Sequence, residues 1–335
     1  MGIINIGKIR IKDPLILAPM AGTTTLAFRS ICHEMGSSYQ PTELVSARSI
    51  LYSGLDKSMC YLMIDREKEG ISCIQLFGSD PKDFEYAIGK ICEDERLKDV
   101  DIIDINMGCP VPKVVKTGAG SALMRDPKLA NEIIRASVKV CQSYGKELTV
   151  KTRIGYEDED KDNGKAEDFI KMLSQSGAGL IAVHGRTRNQ MYHGEADIDA
   201  LARMRRACEG SGVPFIANGD IRDFSSGRKM LEMTGADGLM IGRAAQGNPW
   251  IFRELAGVFE NEEKDIEKVT FEERKEMLLR ELELTMRYKD ENIAVREMRP
   301  SMMAYIKGMP GAAALKVRLC AALTYEEVKD ILWTV

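Results

Sequence analysis

Aromatic residues are scarce in this chain, at 6% of its 335 residues, and histidine occurs only at His33, His184 and His193. The eight cysteines form no CxxC pair, so neither a zinc nor an iron–sulfur ligand set is present and no metal is expected. Irregularly spaced free thiols fit a reduced, cytoplasmic protein without disulfides. No apolar run approaches the roughly 20 residues of a membrane span. The first residues also lack the charged-then-apolar pattern of a signal peptide, so a soluble protein with no membrane partner is expected. No GxGxxG follows an early strand, which argues against an open dinucleotide-binding sheet. The net charge of -4 excludes a general nucleic-acid coat, and any RNA contact must come from a local basic surface. Internal repeats and low-complexity tracts are absent as well.

What is present is a repeated alternation of strand and helix signals. Ile3, Ile4, Ile6, Ile9 and Ile11, interrupted by Gly7, Lys8, Arg10 and Lys12, read as a short hairpin that plugs the bottom of a barrel. Eight apolar strand signals follow, at 15–20, 39–47, 71–77, 100–107, 148–154, 180–184, 214–218 and 238–241. This pattern belongs to an α/β protein with a parallel sheet, and eight units favour a closed (β/α)8 TIM barrel over a doubly wound open sheet. After Asn248 the strand signals cease and the rest is helical, so the expected domains are 1–248, the barrel, and 249–335, a C-terminal all-helical domain.

The stretch from Val100 to Arg125 carries the candidate chemistry. It begins as a buried strand with Asn106 at its C-terminal tip. Gly108 and Pro110 bracket Cys109, which holds the thiol on a kinked, helix-incompatible turn. Lys113 and Lys116 follow, then a flexible patch over 117–121, before a helix begins at Asp126 and Pro127. A thiol with a pKa of about 8.5, on a mobile loop beside basic residues, is a credible proton donor. A lone cysteine at a strand end is otherwise a small buried hydrophobe. Further polar or glycine residues close the other strands: Gln75, Lys151 and Arg153, then His184, Gly185 and Arg186, then Asn218, Gly219 and Asp220, and finally Gly242 and Arg243. The last two groups sit where barrels commonly bind phosphate, so a phosphate-bearing cofactor is implied.

Asn106, Met107, Gly108, Cys109 and Pro110, followed by Lys113 and by Ala119 to Met124, resemble the signature of the tRNA-dihydrouridine synthases, most closely the B-type bacterial branch. The similarity runs over essentially the whole chain. It implies an FMN-dependent enzyme that reduces the C5=C6 bond of uridines in tRNA to 5,6-dihydrouridine, with NADPH or NADH as reductant. By the same resemblance Pro19, Met20 and Ala21 line the flavin ring, Gln75 and Lys151 hydrogen-bond its pyrimidine edge, and His184, Asn218, Gly219, Asp220, Gly242 and Arg243 hold its ribityl phosphate. A cation such as Lys151 near that edge stabilises an anionic reduced flavin. Cys109 is then the catalytic proton donor, Asn106 fixes the base edge, and Arg186 is a second substrate contact. A uracil from folded tRNA must be extruded to reach such a site.

The helical part holds Arg296, Arg299, Lys307, Lys316 and Arg318 between positions 296 and 318, against the single acid Glu297. This is the local basic surface expected to bind tRNA. Pro300, Ser301 and Ala304 stand where the resemblance leads one to expect basic and aromatic residues. Glu157, Asp158, Glu159, Asp160 and Asp162 read as a mobile, acidic surface loop. A monomer is expected. Two rival readings share these residues: a flavin barrel acting on a free pyrimidine, and a non-catalytic RNA-binding barrel in which Cys109 is structural.

Overall fold

The isoleucine-rich start forms the expected hairpin, with β1 (Ile3–Ile6) paired antiparallel to β2 (Ile9–Lys12). The structure is a computed structural model that describes residues 2–334. Beyond the hairpin come β3 (Leu15–Leu17), β4 (Tyr39–Pro41), β5 (Val45–Ser46), β6 (Ile71–Phe77), β7 (Ile102–Asn106), β8 (Glu147–Arg153), β9 (Ile181–His184), β10 (Phe215–Asn218) and β11 (Gly238–Ile241). They pair in parallel in the order β3-β11-β10-β9-β8-β7-β6-β4. The Ser38 N–H donates to the Leu15 carbonyl (2.7 Å) where β3 meets β4, so the eight strands close into a TIM barrel. The segment expected as one strand over 39–47 is broken into β4 and β5. Pro41 brings no N–H to the ladder, and the next residue, Thr42, uses its Oγ1 to accept the Gln75 N–H (3.0 Å).

Helix starts follow local chemistry. Asp80 accepts from the Lys82 N–H ahead of helix Pro81–Glu93, Asp126 accepts from the Leu129 N–H ahead of helix Pro127–Ser143, and each helix has proline in its first turn. The strands bury two separate cores because successive side chains face opposite sides. Inside the barrel, Ile16, Cys73, Ile102, Leu180, Ala182, Ile216 and Met240 pack with Ile4, Ile6 and Ile11, so the hairpin does plug the lower end. The outward side chains pack on the surrounding helices.

After the last strand only helices follow, including Ile251–Glu254, Phe271–Met286, Glu291–Glu297, Arg299–Tyr305, Ala312–Ala321 and Tyr325–Trp333. Their apolar faces, among them Leu278, Leu282, Met302 and Tyr305, join the same continuous core as the barrel's outer layer. Met1 and Val335, the ends of the two expected domain ranges, lie outside the described residues. Arg280 pairs with Glu34 (2.7 Å), and the Ala27 N–H donates to the Tyr288 hydroxyl (3.3 Å). Among the described residues no helix is long and apolar enough to cross a membrane.

Two of the unexpected residues at 300–304 have a packing reason. Pro300 lies in the first turn of helix Arg299–Tyr305, where its missing N–H costs nothing. Ala304 packs closely on Gly247, after the last strand, where an added Cβ would fall 2.8 Å from the Ala304 Cβ and 2.5 Å from its carbonyl carbon, so the close approach requires a glycine at 247. Gly247 also has φ of +63°, like Gly235 at +64°, but a Cβ at Gly235 meets nothing within 4 Å. Gly235→Ala should therefore cost about 1–2 kcal/mol from backbone strain alone. Gly247→Ala should cost roughly 1–3 kcal/mol more, from overpacking against the helix. Urea unfolding of both variants tests this; equal losses would mean that the helix shifts freely away from the barrel.

Candidate active site

The period of two that builds the inner core also builds the site, because the inward positions change from apolar to polar as each strand climbs. On β7 the series runs Ile102, Asp104, Asn106; on β8, Thr149, Lys151, Arg153; on β9, Ala182, His184; on β10, Ile216, Asn218; on β11, Met240 and then Gly242. The polar layer therefore converges at the C-terminal mouth, where barrels place their chemistry.

Cys109 occupies a tightly held turn there. Asn106 Oδ1 accepts from the N–H groups of Gly108 (3.2 Å) and Cys109 (2.9 Å), while its Nδ2 donates to Gln75 Oε1 (2.9 Å). Arg153 Nε donates to the Gly108 carbonyl (2.7 Å), and the Cys109 carbonyl accepts from the Ser121 N–H (3.1 Å) and hydroxyl (2.9 Å). Gly120, at φ +61°, is required by this packing: a Cβ would lie 2.9 Å from the Cys109 carbonyl oxygen. The patch over 117–121 expected to be flexible is thus partly buried, with Ala119, Gly120 and Ser121 packed beneath the turn. Lys113 and Lys116 are exposed. The cations that act on the thiol are Arg153 and Lys151 instead. Burial pushes the half-buried Cys109 thiol up, and the Val111 N–H and those two charges offset this only in part, so the thiol stays protonated at neutral pH.

Lys151 is half-buried and makes no hydrogen bond or ion pair among the described residues. Burial, with the charge of Arg153, pulls its ammonium down to about 8, against the pull of Asp104. His184 is also depressed, by burial first and then by Lys151, Arg153, Arg186 and Arg243, so it is neutral. A guanidinium only donates, so His184 Nε2 accepts from Arg186 Nη1 (3.4 Å) and the imidazole proton sits on Nδ1. Four cations thus surround a neutral imidazole on this side of the mouth, and two of them, Arg186 and Arg243, pair with Asp220.

Several expected contacts have other partners in the structure. Arg186 is 1% exposed, and its guanidinium is committed to Asp220 (2.6 Å) and to the carbonyls of His193 (3.2 Å) and Gly194 (2.7 Å). Asp220, at φ +50°, also accepts from the Ala196 N–H (2.8 Å) and Arg243 Nη2 (2.9 Å). Burial works to raise this carboxyl, but the Arg186 hydrogen bond, the Ala196 N–H and the two guanidinium charges hold it below its usual range. Gly219, at φ +140°, is required by the protein itself, since a Cβ would lie 2.6 Å from that of Ala196. Asn218 donates to the Met240 carbonyl (2.7 Å), and Gln75 is fully buried between Asn106 and Asp104. Pro19 and Met20 are half-buried and Ala21 exposed after β3. At Gly242 an added Cβ would make only ordinary contacts, with Ala18 Cβ (3.6 Å) and Met20 Sδ (3.9 Å) after β3.

The reading from sequence alone missed Arg153 as a clamp, the buried acid Asp104, and Tyr192, which is 53% exposed with Arg243 and Arg153 guanidinium groups 5.5 and 5.8 Å from its ring centre. Counting in steps of two from Ile102 and Thr149 finds the first two. Nothing local marks Tyr192. The acidic loop after β8 is pinned rather than free: Glu157 and Asp160 cap a short 3-10 helix, Asn189 donates to Glu157 (2.5 Å), and Lys161 pairs with Asp197 (3.0 Å). In the helical part Arg296, Lys307, Lys316 and Arg318 are exposed, whereas Arg299 is half-buried and donates to the Ala322 carbonyl (3.3 Å).

Comparison with known proteins matches the dihydrouridine synthase family model over residues 16–333. A probable tRNA-dihydrouridine synthase of Aquifex aeolicus is 35% identical over 95% of this chain and 94% of its own. A tRNA-dihydrouridine synthase B of Pseudomonas aeruginosa is 37% identical over 95% of this chain and 91% of its own. A 2-naphthoyl-CoA reductase structure shares the fold at a TM-score of 0.59 and 10% identity, over 77% of this chain and 52% of that one. A barrel with a clamped, protonated Cys109 after β7, matched from end to end by such relatives, belongs to the dihydrouridine synthase family.

Proposed function

We propose that this protein reduces uridines in tRNA to 5,6-dihydrouridine in the cytoplasm, using FMN with NADPH as its electron source. The reading rests on one observation above all: a thiol kept protonated by burial faces the same barrel mouth as an unpartnered lysine and a cluster of cations. FMN suits that mouth. Arg243 and the His184 Nδ1–H would meet its phosphate beside the Gly242 backbone, with Asp220 and Arg186 orienting Arg243 from behind. Lys151 would complete its own hydrogen bonding on the pyrimidine edge, and Pro19, Met20 and Ala21 would border the ring. Gln75 supports this edge from its buried position. Bound there, FMN supplies the hydride that a C5=C6 reduction needs.

The remaining work falls to the chain's own residues. Cys109 delivers the proton, and the clamp of Asn106, Arg153 and Ser121 on its backbone keeps the thiol in place while the base enters. Asn106 Nδ2 retains one free hydrogen for the base edge. Arg186 acts on substrate only through the loop it holds. The exposed Arg296, Lys307, Lys316 and Arg318 provide phosphate contacts that help to offset the cost of extruding the base.

Three outcomes follow. Gly242→Val should purify without flavin while its far-UV circular dichroism stays parental; undiminished flavin absorbance would remove the phosphate from this loop. Neutralising Arg296, Lys307, Lys316 and Arg318 together should raise KM for tRNA and flatten its salt dependence while NADPH-driven flavin reduction stays unchanged. Unaltered tRNA affinity would make the run a solvated face. Cys109→Ala should keep flavin, its reduction and tRNA affinity, but slow reoxidation by tRNA roughly 10²- to 10⁴-fold, and Cys109→Ser should do little better. Rapid-mixing absorbance at the flavin band measures this directly, and wild-type reoxidation would place the acid elsewhere.

A further inference from the structure

Asp104 is a carboxylate in the middle of the barrel, 3% exposed, one inward step above the apolar Ile102 and one below Asn106. Burying it is costly unless its oxygens are satisfied. They are: Oδ1 accepts from the Thr149 hydroxyl and Oδ2 from Gln75 Nε2, each at 2.6 Å. Burial pushes the Asp104 carboxyl up, and the Gln75 and Thr149 hydrogen bonds with the Lys151 charge work against this; in its ionised form it can only accept, so Gln75 turns its NH2 toward Asp104 and its Oε1 toward Asn106. Asn106 must in turn give its NH2 to Gln75, which leaves Oδ1 as the acceptor for the N–H groups of Gly108 and Cys109. Each amide has two ends of nearly equal shape, and the acceptor at the bottom of this chain of hydrogen bonds selects which end faces which way at every step.

We propose that Asp104 is a positioning residue that holds the Cys109 turn through Gln75 and Asn106. Elsewhere around the barrel, away from β7, inward positions such as Leu180, Ile216 and Met240 are filled by apolar side chains, whereas Asp104 is paired in register with Gln75 on β6 and Thr149 on β8. The relay crosses three adjacent strands, β6, β7 and β8, and ends on the backbone that presents the thiol. Its value to the reaction rests on the proton-donor role assigned to Cys109. The orienting effect on the turn does not.

The experiment reads the turn first and the reaction second. Alkylation of Cys109 by iodoacetamide in the purified protein is followed by peptide mass spectrometry, with the exposed Cys60 and Cys320 as internal standards. Asp104→Leu removes the acceptor and should raise the Cys109 rate roughly five- to ten-fold, as expected when one backbone hydrogen bond is lost. Asp104→Asn has the same shape, still offers an acceptor to Gln75, and lets the Thr149 hydroxyl accept instead; it should stay within about two-fold of the parent. A charge effect through Lys151 would move both variants, and that pattern, or a parental rate in Asp104→Leu, overturns the proposal. A packing effect of the leucine would spare Asp104→Asn, so it is separated by leaving Asp104 in place and cutting the relay elsewhere. Gln75→Met cuts the relay one step later and should reproduce the rise even if Asp104→Leu does not fold; an unchanged rate there overturns it as well. Reoxidation by tRNA should slow with Asp104→Leu and not with Asp104→Asn. If Cys109→Ala reoxidises normally while the alkylation pattern holds, the proton-donor reading fails and the positioning role of Asp104 stands.

Discussion

Charge buried in the upper half of the barrel is the constraint around which the molecule is arranged. A closed eight-stranded barrel has room only for side chains, and each ion placed there must find a partner or shift its protonation. Asp104 is satisfied by Gln75 and Thr149, Arg153 by the carbonyls of Gly108, Thr187 and Met191, and Arg186 by Asp220 and two carbonyls. The partners of the two arginines are loops of the mouth, so satisfying those charges and shaping the site are one requirement. Lys151 is left over, and it responds as a desolvated ammonium does, by releasing its proton more readily.

The consequence for the thiol is that its environment pulls in two directions. Burial favours the neutral form, and the nearby cations favour the thiolate; burial wins. A nucleophilic cysteine would need the opposite outcome. The balance therefore agrees with the proton donation proposed for Cys109 rather than with covalent catalysis.

The helical part is tied to the barrel by the same logic of close approach that ties Gly120 to Cys109. Gly247 lets helix Arg299–Tyr305 touch the chain at Ala304 as it leaves the last strand. Pro300 and Ala304, which depart from an expected RNA-binding pattern, thus sit in the packing of this helix start and contact. Arg299 belongs with them, half-buried with its Nε sealed from solvent and its Nη2 on the Ala322 carbonyl, while its basic neighbours remain at the surface.

Eight apolar runs with polar tips were enough to read the barrel from the sequence, because strand length, alternation and glycine placement are local properties. The hairpin plug, the position of Asn106 at a strand tip and the helix start at Asp126 were legible for the same reason, and so was the interest of Cys109 between Gly108 and Pro110. What stayed hidden was pairing across strands. That the Asn106 side chain turns back to hold the Cys109 backbone, that Arg186 is consumed by Asp220, and that Gly219 serves Ala196 while Gly242 meets only ordinary contacts from Ala18 and Met20 all depend on which strands are neighbours and in what register. The supposedly flexible patch and the acidic loop were misread because composition reports solvation of a free segment, whereas their order comes from partners dozens of residues away or on another loop. Sequence determined which groups reach the mouth; only tertiary structure decided which of them are spent on one another and which remain for a ligand, since a hydrogen bond between distant residues leaves no periodic trace.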